Sequence, residues 1–296
     1  MEIDKIIDGI AERAAAENAA SDGDYTSENG LLICGKCGTP KQCRVELFGR
    51  ERVVYCICSC KKAKYEAEEA AFQHRQKMQR IEGLRQVGFP DGEMKNWTFE
   101  ADDGSNEQIT SVAKNYVNNF AEMKKRGKGL LLFGSVGTGK TFISACIANA
   151  LIDQGRPCLV TNFARLINSI SGMFEGKQEY IDSLNSFDLL VIDDLASERD
   201  TEYMGEIVQN IIDSRYRAKL PLIVTTNLTS EELKKPVEIR KQRIYSRLFE
   251  MCIPVEVEGK DRRKQKLREE YGEIGDLLGL NVAERGDNKE TDGKTP

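Results

Sequence analysis

With 296 residues, 40% of them hydrophobic, the chain is long enough for one or two domains with a real core. A formal net charge of -5, from 43 basic and 48 acidic side chains, excludes a surface uniformly coated for nucleic acid, so any such surface must be local. No apolar run approaches the ~20 residues a membrane span needs, and the acidic opening MEIDKIIDGIAERAAAENAA lacks the basic and apolar regions of a signal peptide. A soluble, cytoplasmic chain with no membrane partner is expected.

Ile3, Ile6, Ile7 and Ile10 predict a short amphipathic helix within residues 1–20, followed by a polar loop, SDGDYTSENG. Of nine cysteines, six fall between Cys34 and Cys60, while Cys146, Cys158 and Cys252 sit in apolar surroundings. Such a local cluster points to a metal site rather than a disulfide framework. Cys34-Gly35-Lys36-Cys37 folds two thiolates toward one ion, and Cys58 and Cys60, beyond a strand-like run from Val45 to Val54, complete a tetrahedral Zn²⁺ set. Cys56 and Cys43 are rival ligands. The zinc is expected to be structural, holding together a small domain over residues 1–62, because the one histidine, His74, lies in a charged helix and no HExxH pattern exists.

Residues 61–82, KKAKYEAEEAAFQHRQKMQRIE, predict a long solvated helix with a thin apolar stripe (Tyr65, Phe72, Met78, Ile81), ended by Gly83, Gly88 and Pro90. Residues 63–107 thus form a helical linker and connecting segment. Within it the aromatic pair in Asn96-Trp97-Thr98-Phe99 either packs on a nucleotide's base or caps the core. A helix from Ile109 to Lys125 leads into the next domain, 108–281.

Leu130–Phe133 is a strand buried on both faces. It is followed by Gly134, Ser135, Val136, Gly137, Thr138, Gly139, Lys140 and Thr141, which fit the P-loop pattern, and by Ile143, Ile147, Ala148 and Leu151 at helical spacing. Glycines let consecutive N–H groups turn toward a phosphate, and the helix N-terminus adds partial positive charge. Lys140 is expected on the β- and γ-phosphates and Thr141 on Mg²⁺. Pro157–Thr161 predicts a second strand and Asn162–Ser183 a helix, with Phe163, Leu166, Ile167, Ile170 and Phe174 on one side. Phe187–Asp194 is a buried strand ending in two carboxylates: Asp193 for Mg²⁺, and Asp194 to polarise the attacking water, with Glu198 a weaker candidate. A helix over Glu202–Ala218 turns Ile207, Val208, Ile211 and Ile212 inward, and the strand Leu220–Asn227 follows. Its terminal Asn227 can position the lytic water or sense the γ-phosphate. Arg243 and Arg247, four apart on one helical face, and the cluster Lys260–Arg268 have three uses open: a neighbouring subunit's γ-phosphate, DNA phosphates, or solubility. The polar tail 282–296 is expected to be disordered.

Strands alternating with helices imply an α/β fold with a central parallel sheet. Taken together, GSVGTGKT, LLVIDDL, TTN and RIYSRL resemble the AAA+ P-loop ATPases, and within them the DnaC- and DnaI-type replicative helicase loaders, a group that includes IstB-like transposition helpers. The resemblance covers residues 85–270. It implies Lys140 and Thr141 as Walker A, Asp193 as Walker B, Asn227 as sensor 1, Arg247 as the arginine finger with Arg243 as alternate, and Arg263 as the sensor-2 arginine. Asp194 stands where many AAA+ proteins carry Glu, which fits slow, switch-like hydrolysis stimulated by oligomerisation or DNA. The zinc module ahead of the ATPase resembles the DnaI-like arrangement. Implied cofactors are ATP, Mg²⁺ and structural Zn²⁺. Implied partners are a hexameric replicative helicase, single-stranded DNA (through Phe174, Arg165 and Lys177) and further copies of the ATPase domain. Rival readings are a transposition helper that binds duplex DNA and a transposase, a nucleotide-binding scaffold without turnover, and a small-molecule kinase.

Overall fold

A computed structural model describes residues 18–47, 49–90, 92–195, 202–236, 238–259, 261, 262, 271, 274, 277 and 278. Most of the expected N-terminal helix, Glu198, Arg263 and the tail 282–296 lie outside them. The chain divides into two compact units, residues 1–79 and 80–296. Among the described residues no helix is long and apolar enough to cross a membrane.

In the first unit β1 (Tyr25–Thr26) pairs antiparallel with β2 (Leu32–Ile33), and β3 (Gln42–Leu47) forms a hairpin with β4 (Arg50–Tyr55). So small a sheet has little to bury, and polar bonds take the place of a core. Lys41 donates to Asp24 at 2.6 Å and to the Ala19 carbonyl at 2.8 Å. The same Asp24 carboxylate accepts from the backbone of Ser21 at 2.8 Å and of Gly35 at 3.0 Å. With both side chains almost wholly buried, the pair ties the loop before β1 to the first cysteine turn.

Helix α1 (Ser59–Gly88) follows. Tyr65, Phe72 and Met78 are exposed, as a solvated helix requires, and only at Ile81 does the stripe meet a core. Gly83 does not end the helix as expected. It lies in open space inside α1, whereas a Cβ on Gly88 would stand 2.6 Å from the Cys158 carbonyl oxygen, so close packing sets the end.

The segment after α1 makes short 3-10 turns at Glu93–Asn96 and Phe99–Ala101. Trp97 lies 5.9 Å from Phe142, and both Trp97 and Phe99 pack against buried apolar residues, so the aromatic pair caps the core. The single helix expected over 109–125 is two, α2 (Glu107–Asn118) and α3 (Phe120–Arg126), because the chain bends at Asn119. Then come β5 (Gly129–Phe133), α4 (Lys140–Asp153), β6 (Cys158–Asn162), α5 (Phe163–Ser171), α6 (Lys177–Ser183), β7 (Leu189–Leu195), α7 (Glu202–Arg217), β8 (Leu222–Thr226), α8 (Ser230–Lys234), α9 (Ile239–Met251) and β9 (Cys252–Glu256).

The strands form one sheet in the order β6-β7-β8-β5-β9, parallel throughout. Two apolar layers cover it: Ile143, Ile147, Leu151 and α2 on one face, and Phe163, Leu166, Ile211 and Leu248 on the other. β9 was not foreseen. Pro254 and the half-exposed Ile253 disguise it, and both are tolerable because β9 is an edge strand bonded on one side. The helix expected over 162–183 is broken, since the chain leaves α5 at Gly172 and restarts at Gly176 with φ 78. Phe174 falls in the break and is fully exposed rather than inward.

Arg215 is 1% exposed, and its guanidinium donates to the carbonyls of Pro221 (2.9 Å), Leu184 (3.2 Å), Phe187 (2.9 Å) and Asp188 (3.1 Å). These carbonyls lie just before β7 and β8, so one cation fixes where both strands begin. Arg215→Met removes the charge and leaves those carbonyls unsatisfied, and should cost about 3 kcal/mol by urea unfolding. A loss under ~1 kcal/mol would refute this role.

Candidate functional site

The carboxyl ends of β5, β7 and β8 bring the expected site together. The loop Gly134–Gly139 joins β5 to α4, and Gly134, Gly137 and Gly139 have φ of 127, 80 and 97, values that side-chain-bearing residues rarely adopt. Thr138 donates to the Ser135 carbonyl at 3.0 Å, closing the loop, while Ser135 and Val136 face solvent. Lys140, 6% exposed, donates to the Gly134 carbonyl at 2.9 Å and the Ser135 carbonyl at 2.6 Å. The fourteen-residue helix α4 starts here with no side-chain cap, leaving its first N–H groups for an anion.

Thr141 donates to Asp193 at 2.9 Å, and Thr225 on β8 donates to the same Asp193 oxygen at 2.6 Å. Burial pushes the Asp193 carboxyl above its usual range, opposed by the two hydroxyls and by Lys140 and reinforced by the charge of Asp194. Next to it the β7–β8 register slips between Ile192 and Leu195, and Asp194 takes a left-handed φ of 61. That conformation costs ~1–2 kcal/mol. It is held because the Asp194 amide donates to Thr225 at 2.9 Å and Asn227 donates to the Asp194 carboxylate at 3.1 Å. The structure therefore unites Lys140, Thr141, Asp193, Asp194 and Asn227. Thr225 was missed, although its place in the polar run Thr225-Thr226-Asn227 was the available signal.

A second layer covers the loop. Arg262 donates its amide to the Gly137 carbonyl at 3.0 Å, and its guanidinium carbon lies 3.4 Å from where a Gly139 Cβ would be. Arg262, not named from the sequence, is thus the described C-terminal arginine at the loop. Arg247 lies elsewhere, ion-paired with Asp213 of α7 and 4.8 Å over the Tyr216 ring, and Arg243 is exposed one turn earlier. Arg165 lies in the first turn of α5, where its amide donates to the Asn162 side chain at 2.8 Å. Lys177 donates to the Tyr203 hydroxyl at 3.1 Å near the exposed Phe174.

In the first unit the sulfurs of Cys34, Cys37, Cys58 and Cys60 all lie within 4.8 Å of one another. Cys34–Cys60 and Cys58–Cys60 are 3.6 and 3.4 Å apart, near the ~3.8 Å edge of a tetrahedron with Zn–S bonds of about 2.3 Å. Cys37 is lowered to about 5, first by the Thr39 hydroxyl, and Cys60 is raised to about 12, first by the Cys58 thiol. The donor set fits a soft or borderline cation. Cys43 and Cys56 stand outside it, Cys56 donating to the Pro40 carbonyl at 3.5 Å.

The family model described as IstB-like ATP binding protein matches residues 65–270. The replicative helicase loader DnaI of Bacillus subtilis (strain 168) is 24% identical over 169 residues, covering 53% of this chain and 53% of that protein. The replicative helicase loader DnaC of Buchnera aphidicola subsp. Schizaphis graminum is 28% identical over 166 residues, covering 53% and 65%, and that of Escherichia coli (strain K12) is 29% identical over 129 residues, covering 42% and 51%. The chain therefore spans about half to two thirds of the length of these curated relatives. A crystal structure of DnaI covers 56% of this chain and 93% of that one, at 23% identity and a TM-score of 0.48.

Because the folded state raises the Asp193 pKa, it binds the proton more tightly than the unfolded chain. Asp193 therefore withdraws stability as pH rises from the ordinary carboxylate range through its raised value. Thr225→Val removes one donor from Asp193 and the acceptor of the Asp194 amide. It should cost about 2 kcal/mol at neutral pH and less in acid, where Asp193 is protonated. Urea unfolding at the two pH values checks this; an equal deficit at both would contradict it.

Proposed function

Because the chain belongs to the family of IstB-like ATP binding proteins, we propose that it is an ATP-dependent loader that delivers a ring-shaped replicative helicase to single-stranded DNA. One observation carries the ATPase reading: the hydroxyls of Thr141 and Thr225 meet on the half-buried Asp193 carboxylate, beside Asp194 and Asn227. The loop Gly134–Thr141 fits a triphosphate, with Lys140 exchanging its loop carbonyls for phosphate oxygens. Thr141 and Asp193 are the residues to hold Mg²⁺, which when bound neutralises charge on the β- and γ-phosphates. Asp194, steadied by Asn227, accepts from and orients the attacking water. An aspartate is shorter than the glutamate that many AAA+ proteins carry at this position, so slow, switch-like turnover follows.

Arg247 reaches a neighbour's nucleotide in the assembled state and gives up Asp213 to do so. The arginine assignment at Arg263 falls on a residue outside those described, and Arg262 sits at the loop instead. Phe174, fully exposed between two glycines, with Lys177 and Arg165 nearby in sequence, supplies a stacking side chain and charge for single-stranded DNA. Zinc is the cation best suited to Cys34, Cys37, Cys58 and Cys60, because four thiolates favour it and no position is left open for catalysis. The helicase as partner rests on the relatives' names, replicative helicase loaders DnaI and DnaC.

Purified protein should hydrolyse ATP slowly and faster with single-stranded DNA, and Lys140→Ala should weaken ATP binding about 30-fold or more. Nucleotide binding without any turnover would make it a scaffold. Metal analysis should find about one zinc per chain, lost in Cys37→Ser. Capture of a hexameric helicase should fail in Cys34→Ser but survive in Lys140→Ala. Recovery of a transposase in place of a helicase would point to a transposition helper and end the loader reading.

A further inference from the structure

Residues 257–259, 261 and 262 are stitched across the phosphate loop. Val257 donates its amide to the Phe133 carbonyl at 2.8 Å, and Arg262 donates to the Gly137 carbonyl at 3.0 Å. A Cβ on Gly137 would stand 2.0 Å from the Asp261 carboxylate, so this strap rests directly on the loop. The strap is in turn tied to the turn before α2: Asn106, whose side chain caps that helix, donates to the Glu258 carbonyl at 2.7 Å.

At the far end of the strap two carboxylates face one guanidinium. Arg262 Nη1 lies 3.3 Å from Asp103 and 3.7 Å from Asp102. Asp102 is 5% exposed and Asp103 58%, so the two acids are not equivalent. One Asp102 oxygen accepts from the Thr110 hydroxyl at 2.5 Å, while the other is buried with no hydrogen-bond partner among the described residues. Arg262 is the cation that this second oxygen faces. Asp103 is steadied separately by the Ser105 amide at 2.9 Å.

We propose that Asp102 and Asp103 form a carboxylate clasp that competes with a bound polyphosphate for the Arg262 guanidinium. This rests on the nucleotide reading of the loop. An arginine lying over Gly139 is within reach of phosphate oxygens held by the same loop, yet its charge is already engaged. When a triphosphate recruits it, Asp102 loses its counter-charge in a buried place, which is costly, whereas solvent screens Asp103. Anion binding and release of the clasp are therefore one linked equilibrium. Through Asn106 and α2 that equilibrium reaches the segment that follows α1. The clasp thus holds nucleotide affinity below what the loop alone would give, and converts phosphate occupancy into movement of the strap.

The test is Mg-ATP titration by calorimetry on the full chain, with Asp103→Asn, Asp102→Asn, Arg262→Gln and the Arg262→Gln/Asp103→Asn double variant. Asp103→Asn should tighten binding about threefold and Asp102→Asn about fivefold or more, while Arg262→Gln weakens it. In the Arg262→Gln background Asp103→Asn should change nothing, because the carboxylate acts through the guanidinium. Tightening that persists undiminished without Arg262 would mean that the acids merely repel phosphate, and would overturn the clasp. Unchanged or weaker binding in Asp103→Asn overturns it as well, and that variant, being at the surface, keeps the test sound should Asp102→Asn fail to fold. Wild-type protein that binds no ATP removes the nucleotide reading itself and leaves the clasp nothing to compete with, a result distinct from the other two.

Discussion

One carboxylate organises the carboxyl end of the sheet. Asp193 sits at the tip of β7, largely removed from water, and is kept there by hydroxyls from two different elements, Thr141 at the start of α4 and Thr225 on β8. Neither donor is near it in sequence. They meet only because the strand order places β8 between β7 and β5, so that the loop after β5 and the end of β8 both face the β7 tip. A buried carboxylate without such donors would take up a proton or force the strand ends apart. The parallel sheet is thus what makes this charge tolerable, and the charge in turn requires the three strand ends to keep their register.

The apolar layers supply the rigidity that the strand ends consume. Asp194 in a left-handed conformation, the slipped register beside it and three glycines at positive φ are local costs. They are concentrated where the chain must aim polar groups at one point. Leu131, Leu132, Leu190, Val191, Ile223 and Val224 are all wholly buried a few residues earlier on the same strands. Among the described residues nothing comparable supports the first unit, where a buried Lys41–Asp24 pair and a convergence of thiols stand in its place.

The parts of this fold that sequence reveals are those whose chemistry demands rare residue types close together in the chain. The loop Gly134–Thr141, the paired Asp193 and Asp194, the terminal Asn227 and the four cysteines all meet that condition, and the structure brings the members of each set together. Elements whose cause is long-range were not legible. β9 is specified by an empty edge beside β5, not by its own pattern, which contains Pro254. Gly83 looks like a helix stop but sits in solvent, whereas Gly88 matters because Cys158 presses on it. Phe174 fits the inward face of a helix until two glycines break that helix. Thr225, Asp102 and Arg215 are ordinary residues in the sequence, and each acquires its role from a partner far along the chain: Asp193, Arg262 and the carbonyl of Leu184.

Arg215, Arg247 and Arg262 differ chiefly in burial, and burial decides which of them can change partners. Arg215 is enclosed and serves only neutral carbonyls. Desolvation lowers its pKa to about 10, and it has nowhere else to go without unfolding the strand starts. Arg247 and Arg262 are 40% and 25% exposed as side chains and are each held by carboxylates, Asp213 in one case and Asp102 and Asp103 in the other. The solvent-reached pairs, Arg247 with Asp213 and Arg262 with Asp103, are worth little against a multiply charged anion, whereas the almost wholly buried Asp102 makes Arg262 the costlier of the two to recruit. In the proposed function a polyphosphate draws on both arginines, Arg262 from within the chain and Arg247 across a subunit boundary, and neither lies in the sheet's apolar layers. Fixing one arginine on uncharged acceptors and holding two on exchangeable charges lets the same sheet be rigid in its strands and responsive at its rim.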